Sequence, residues 1–196
     1  MVRCTNLNRI NFTPDGFNVQ PIIIRPERKR KLNKNLMMFF TGFTRFSSEI
    51  QQSSKSMADK TAQLLDMLAI VDEAEMVLED KNSDLDDFGR LLDKSWRLKK
   101  QTGNKVSTGG IDELYDKAMA AGALGGKLLG AGGGGFLLFY VPQERQKAVM
   151  EAMSHLMYVP FGNRTGATPD GRLAGEVLSR QMDMAAIPAM TDAARS

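Results

Sequence analysis

Cysteine and histidine are almost missing from these 196 residues, which hold Cys4, His155 and no other of either kind. A single cysteine excludes an internal disulfide framework and fits a reducing compartment. One histidine and one cysteine cannot assemble a His/Cys metal site. A Mg²⁺ site needs only carboxylate and phosphate oxygens, so it stays open. Excess charge is scarce too: a net charge of +3 is too small to argue for nucleic acid. The N-terminus lacks an apolar core of signal-peptide length, and the expected location is cytoplasmic. The tract Ala118–Val141 reads poorly as a membrane span, because Lys127 stands at its centre among many glycines. The apolar fraction of 42% and charged fraction of 25% are those of an ordinary soluble globular protein. The length suits one domain or one and a half.

Glycine, by contrast, is plentiful. It is concentrated in Gly125-Gly126-Lys127-Leu128-Leu129-Gly130-Ala131-Gly132-Gly133-Gly134-Gly135, which runs directly into Phe136-Leu137-Leu138-Phe139-Tyr140-Val141. Flexible linkers carry Ser and charge between polar flanks. This stretch has Leu128-Leu129 on one side and a continuous apolar run, closed by Pro142, on the other. The run reads as a buried strand. Backbone without side chains beside such a strand can turn its N–H groups inward together and form a concave anion site. The competing reading is a tight bend between two core strands, in which glycine only avoids clashes. The stretch lacks the Gly-Lys-Ser/Thr ending of a P-loop, since Lys127 precedes the glycines.

From the start of the chain, Asn8–Phe12 alternates, Pro14-Asp15-Gly16 is a turn, and Phe17–Ile24 resumes in strand-like fashion, which together predict a hairpin. Two strands alone do not hold together in water and need a sheet to join. Arg25 to Lys34 is a basic run opposed only by Glu27. It reads as a solvated helix or loop face, with a polyanion site as the alternative. Leu36–Phe40 reads as a buried strand ending at Thr41-Gly42. Arg45 and the hydroxyls of Thr41, Thr44, Ser47 and Ser48 follow, either as ordinary helix capping or as an edge facing a sugar or phosphate.

Three helices are predicted next. In the first, Leu64, Leu65, Leu68, Val71, Ala74 and Leu78 share one face, which is expected to be core. Ser83 and Asp86 resemble a capping box that starts the second, with the stripe Leu85, Phe88, Leu92 and Trp96. The acidic excess from Asp59 to Asp93 is expected on a solvated face. The third helix follows Thr108-Gly109-Gly110 and puts Ile111, Leu114, Tyr115 and Ala118 on one side. Asp112 and Asp116 share a face and are read as a wet surface pair in preference to a metal site. Beyond the glycine stretch, Pro142 opens a helix with Val149, Ala152, Met153 and Leu156 inward, and Met157–Phe161 is a strand that Pro160 restricts to an edge. The predicted fold class is α+β, with helices packed on an antiparallel sheet.

Gly125–Phe136 resembles the third, C-terminal motif of the GHMP kinases, which include galactokinase, homoserine kinase and mevalonate kinase. Phe40–Ile50, Ser95–Lys100 and Ile111–Tyr115 are similar to the branch that phosphorylates heptose 7-phosphate at its anomeric hydroxyl. The resemblance runs from about Asn8 to about Phe161. It implies a ferredoxin-like C-terminal domain over residues 35–161, with residues 1–34 as a hairpin and basic connector left from the N-terminal kinase domain. By resemblance, Lys127, Gly130, Ala131, Gly132, Gly133, Gly134 and Gly135 face the nucleotide phosphates, and Thr41, Gly42, Arg45 and Ser48 border the sugar. ATP, Mg²⁺ and a sugar phosphate are the implied partners, with no nucleic acid and no membrane.

The phosphate-binding Gly/Ser loop and the catalytic carboxylate of that family are not in this sequence, so no catalytic residue is assigned. A complementing N-terminal kinase half is implied as a partner. Nucleic-acid binding through Arg25–Lys34 with Phe39, Phe40 and Phe43 is disfavoured because those aromatics read as buried. An alternative from another class is a stand-alone ferredoxin-like domain that binds or senses a small anion without catalysis. Residues 162–196 are expected to be an unrelated flexible tail. Within it, Thr165-Gly166-Ala167-Thr168-Pro169-Asp170-Gly171-Arg172 is similar to a segment of the glycyl radical enzymes, without their radical-glycine motif or cysteine pair.

Overall fold

The structure is a computed structural model that describes residues 7–42, 57–101, 107, 109–129 and 135–160. Strands β1 (Asn8–Thr13) and β2 (Gly16–Pro21) form the expected hairpin as a two-stranded antiparallel sheet of their own. The second strand is shorter than predicted and stops at Pro21, although the Ile22 amide still donates to the Leu7 carbonyl at 2.9 Å. Helix α1 (Pro26–Asn35) occupies the basic run and leads directly into β3 (Leu36–Phe40). Helices α2 (Met57–Glu79), α3 (Asp86–Gln101) and α4 (Gly109–Ala120) follow. Strands β4 (Gly125–Leu129) and β5 (Phe136–Tyr140), a short 3-10 turn, α5 (Gln146–Ala152) and β6 (Met157–Val159) complete the described elements.

The second sheet has the order β4-β5-β3-β6, with β5 antiparallel to both its neighbours. From β3 onward this is a β-α-β-β-α-β unit with its first and third strands central, the ferredoxin-like arrangement that the resemblance implies. The apolar runs are continuous because both faces of the sheet are covered. One face turns Met37, Phe39, Leu128, Leu137 and Phe139 toward Ile111, Leu114, Tyr115 and Ala118 of α4 and Val149 of α5. Leu36, Leu138 and Tyr140 belong to the other face, with Leu32 of α1, Leu78 of α2 and Phe88 and Leu92 of α3. Internal contacts divide the chain into Met1–Tyr158 and Val159–Ser196, and only Val159 and Pro160 of the second unit are described.

Helix α3 lies directly on β4, and glycine makes that possible. A Cβ on Gly125 would stand 1.9 Å from the Gly89 carbonyl oxygen and 2.7 Å from the Asp93 nitrogen. On Gly126 it would meet the Leu138 carbonyl oxygen and the Phe139 ring, each at 2.5 Å. The glycine-rich stretch is therefore divided. Its first five residues are a strand, and its glycines there serve packing.

Two expectations are corrected. The apolar stripe of α2 is core only at its end: Leu64, Leu65, Leu68 and Val71 are exposed and Ala74 is half-buried, whereas Leu78 is buried, as is Ile70 outside the stripe. Among the described residues nothing covers Leu64, Leu65, Leu68 or Val71. Ser83 also does not cap α3. Its hydroxyl bonds the Asp80 carboxylate at 2.7 Å, while Asp84 caps the helix by accepting from the Asp86 amide at 3.1 Å. Part of the acidic excess is paired as well, since Asp72 and Glu75 accept from Arg9 at 2.6 and 2.8 Å.

Gly125→Ala should destabilise the fold by about 3 kcal/mol, because the obstructing atoms are backbone and cannot rotate away. Gly109→Ala, at the start of α4 with open space around it, should be neutral or stabilising by up to ~1 kcal/mol. Urea unfolding of the two variants checks the contrast.

Candidate functional site

Residues 130–135 are the connection between β4 and β5, whose last pair is Leu129 with Phe136. The final residue of that connection, Gly135, has φ +108°, a conformation that L side chains resist. Its carbonyl oxygen accepts two hydrogen bonds from Thr41, from the amide and from Oγ1, each at 2.9 Å. Thr41 is buried and follows the last residue of β3. The double contact fastens the end of the glycine connection to the end of the central strand. Gly42 then turns the chain with φ +73°, and a Cβ there would meet nothing within 4 Å. Thr41, Gly42 and Gly135 are thus brought together at one end of the sheet. Gly130, Ala131, Gly132, Gly133, Gly134, Arg45 and Ser48 lie outside the described residues.

Lys127 is the third residue of β4, half-buried and opposite Leu138 of β5. Alternation along the strand places it on the same side as Gly125, the side against which α3 packs. Lys99, in the last turn of α3, is its electrostatic neighbour. Burial lowers the Lys99 pKa from its ordinary value, and the charge of Lys127 lowers it further. The Lys99 ammonium thus stands in the field of a second cation, Lys127, on the strand that leads into the glycine connection. Sequence reasoning quoted Lys99 only within Ser95–Lys100 and gave it no role, because nothing in the one-dimensional pattern ties the last turn of α3 to the middle of β4.

Tyr115 holds α4, α3 and β4 in register behind these lysines. Its hydroxyl donates to Asp93 Oδ1 at 2.8 Å and accepts from the Gly126 amide at 3.2 Å. The other carboxylate oxygen of Asp93 accepts from Arg97 at 2.8 Å. Burial, reinforced by the Asp93 carboxylate, holds the Tyr115 pKa well above the ordinary tyrosine value. Tyr140 is raised as well, chiefly by burial, and its hydroxyl lies between Asn35 Nδ2 at 2.7 Å and Asp86 Oδ1 at 3.1 Å. Asp112 is not a free surface carboxylate, since it accepts from Lys100 and Ser107 at 3.0 Å each. Among the described residues no group of three or more His, Cys, Asp or Glu is placed to hold a metal ion. No described helix is long and apolar enough to cross a membrane.

The α+β sandwich thus carries a glycine-rich connection fastened beside its central strand, with Lys127 on the strand that leads into it. Residues 76–159 match the model of the family described as GHMP kinases C terminal. The chain is 29% identical over 143 residues to the D-glycero-alpha-D-manno-heptose 7-phosphate kinase of Campylobacter jejuni, a match covering 70% of this chain and 42% of the relative. The Methanococcus jannaschii mevalonate kinase shares the fold with a TM-score of 0.58 at 23% identity, over 79% of this chain and 47% of that one. A D-glycero-D-manno-heptose 1-phosphate kinase from Bacteroides thetaiotaomicron aligns with a TM-score of 0.50 at 20% identity, over 79% and 41% of the two chains. The domain is thus related to sugar kinases that include a heptose phosphate kinase. The chain spans less than half the length of these relatives.

Tyr115→Phe should cost about 1–3 kcal/mol, because the Gly126 amide loses its acceptor and Asp93 loses a donor. In the wild type, Tyr115 and Tyr140 stay protonated in the folded state at a pH where the unfolded chain has released those protons. Stability contributed by these groups is therefore fully present below the unfolded value of 10.0 and is lost as pH rises beyond it. Chemical denaturation between pH 8 and 11 should show that decline, with a shallower slope in Tyr115→Phe.

Proposed function

We propose that this chain supplies the C-terminal half of an ATP-dependent sugar kinase whose acceptor is the anomeric hydroxyl of heptose 7-phosphate. The observation that carries the reading is the anchored glycine connection, joined by Thr41 to the central strand and flanked by Lys127 and Lys99. Phosphoryl transfer relies on positioning and electrostatics more than on covalent chemistry of the protein. In this reading the acceptor oxygen attacks the γ-phosphorus, the bond to the bridging oxygen breaks, and ADP leaves. Gly130–Gly135 and Lys127 border the phosphates, Lys99 adds positive potential, and Thr41, Gly42, Arg45 and Ser48 lie toward the sugar. ATP would bring the transferred group, and a bound Mg²⁺ would supply charge shielding; among the described residues of this chain no cluster of three or more carboxylates is placed to hold it. The acceptor's proton goes to a carboxylate outside this sequence. The working location is the cytoplasm, where ATP and sugar phosphates are available.

The domain limits belong to the same proposal, with residues 35–161 as the kinase C-terminal domain, residues 1–34 as part of the N-terminal kinase domain and residues 162–196 as an unrelated tail. The hairpin supports the first division. Ile10 pairs with Val19 and Phe12 with Phe17, so one face carries four apolar side chains. All four are exposed, Phe12 at 81% and Phe17 at 70%. Arg9, on the alternate face, turns instead to Asp72 and Glu75 of α2. A two-stranded sheet that points its polar side at its neighbour and its apolar side at water has the character of a sheet edge awaiting the rest. In this proposal the other half of the kinase covers it.

The purified chain should show no heptose 7-phosphate-dependent ATP hydrolysis above background, and adding an N-terminal half of a heptose 7-phosphate kinase should produce turnover. Robust turnover by the chain alone would contradict the reading. So would the absence of turnover in a mixture whose two halves bind each other.

A further inference from the structure

The basic run that the kinase reading leaves unused is not uniformly solvated, and its phase on α1 decides what each cation does. Arg25, Arg28 and Lys31 recur every three residues and line one cleft of about 400 Å³, together with Glu27, Lys81, Ser83 and Leu85. Three separate segments therefore contribute cations: the residue before α1, α1 itself, and the turn between α2 and α3. The lining holds four cations against one carboxylate, a net +3 that equals the charge of the whole chain.

Two of the supports are rigid. Arg28 donates to the carbonyl oxygens of Leu78, Val77 and Ser83 at 3.1, 2.5 and 2.8 Å. The last turn of α2 has no basic residue of its own, and Arg28 supplies the cation that its carbonyl end favours. The turn bearing Lys81 is fixed in its place by Asp80, which accepts from the Asn82 amide at 3.0 Å and from the Ser83 hydroxyl at 2.7 Å. Arg25, Lys31 and Lys81, by contrast, form no ion pair among the described residues. Glu27 stands four residues before Lys31 on the same helix, the spacing at which such pairs form, and the two do not pair. Cations that outnumber the carboxylates in a concave, braced site, here Glu27 in the lining and Asp80 near Arg28, raise the local concentration of anions.

We propose that this cleft binds a small multivalent phosphate anion, such as a phosphorylated metabolite or an oligophosphate, with Arg25, Lys31 and Lys81 as its ligands. Arg28 is a positioning residue that braces the wall. The site is separate from the glycine connection: α1 enters β3 at Leu36, whereas Thr41 and Gly135 meet at the other end of that strand. A cleft of this volume admits a small molecule. An extended polyanion would instead need a stripe of cations along a surface.

The test is titration of the ¹⁵N-labelled chain with inorganic pyrophosphate, at ionic strength matched with chloride, following backbone amide shifts. Saturable shifts are expected at Glu27–Lys31 and Lys81–Ser83. In the triple variant Arg25→Ser, Lys31→Ser, Lys81→Ser they should need at least tenfold more pyrophosphate, with the melting temperature in ligand-free buffer unchanged. Single substitutions at the same positions keep the test valid if the triple variant fails to fold. Each should weaken binding. Shifts confined to residues 126–136, shifts of equal size with added chloride, or unchanged affinity in the variants would overturn the proposal. So would response to single-stranded nucleic acid alone.

Discussion

The close approach of α3 to β4 is the constraint on which the rest of the molecule depends. It requires an absence of side chains on both elements: a Cβ on Gly125 would strike the Gly89 carbonyl of α3, and a Cβ on Gly89 would strike the Tyr140 ring and Leu124. With the helix seated there, Asp93 reaches Tyr115, and Tyr115 reaches back to the Gly126 amide. One polar contact then ties both helices to the edge strand within an otherwise apolar layer. Trp96 and Phe139 both pack against the Tyr115 ring, with centroids 6.1 and 5.6 Å away. Lys127 and Lys99 take their places as a consequence of this packing, since one stands on the strand and the other on the helix resting on it.

At the opposite end of the sheet, where Leu129 pairs with Phe136 and Phe136 with Phe40, a second contact anchors the glycine connection. Thr41 gives both its amide and its hydroxyl to one carbonyl, that of Gly135, so the exit of the glycine connection is fixed to the strand that centres the sheet. A connection rich in glycine would otherwise carry a large conformational entropy. The anion binding proposed for this connection rests on the anchoring of its last residue, Gly135.

Much of this architecture was legible in the sequence. The hairpin followed from Pro14-Asp15-Gly16, the buried strands from Leu36–Phe40 and Phe136–Tyr140, and the inward face of α4 from Ile111, Leu114, Tyr115 and Ala118. These features depend on local chemistry and periodicity. The division of the glycine stretch was not legible, because glycine admitting a close helix and glycine admitting an unusual φ leave the same letter. The exposed stripe of α2 was misjudged for a related reason. Leu64, Leu68 and Val71 announce a face that needs covering, but periodicity does not say which polypeptide covers it. The basic run was half legible: its helix was read, while the convergence of Arg25 and Lys31 with Lys81, fifty residues on, exists only in three dimensions.

The central claim is that the anchored connection between β4 and β5 serves a nucleotide phosphate and not packing alone. Nucleotide affinity of the complemented protein, measured beside its melting temperature for wild type and Gly133→Val, tests it most directly. The account predicts that the branched side chain abolishes measurable nucleotide binding, while strain lowers stability by about 1–3 kcal/mol. A lower melting temperature with unchanged nucleotide affinity would contradict it and leave Gly130–Gly135 as a bend between two core strands.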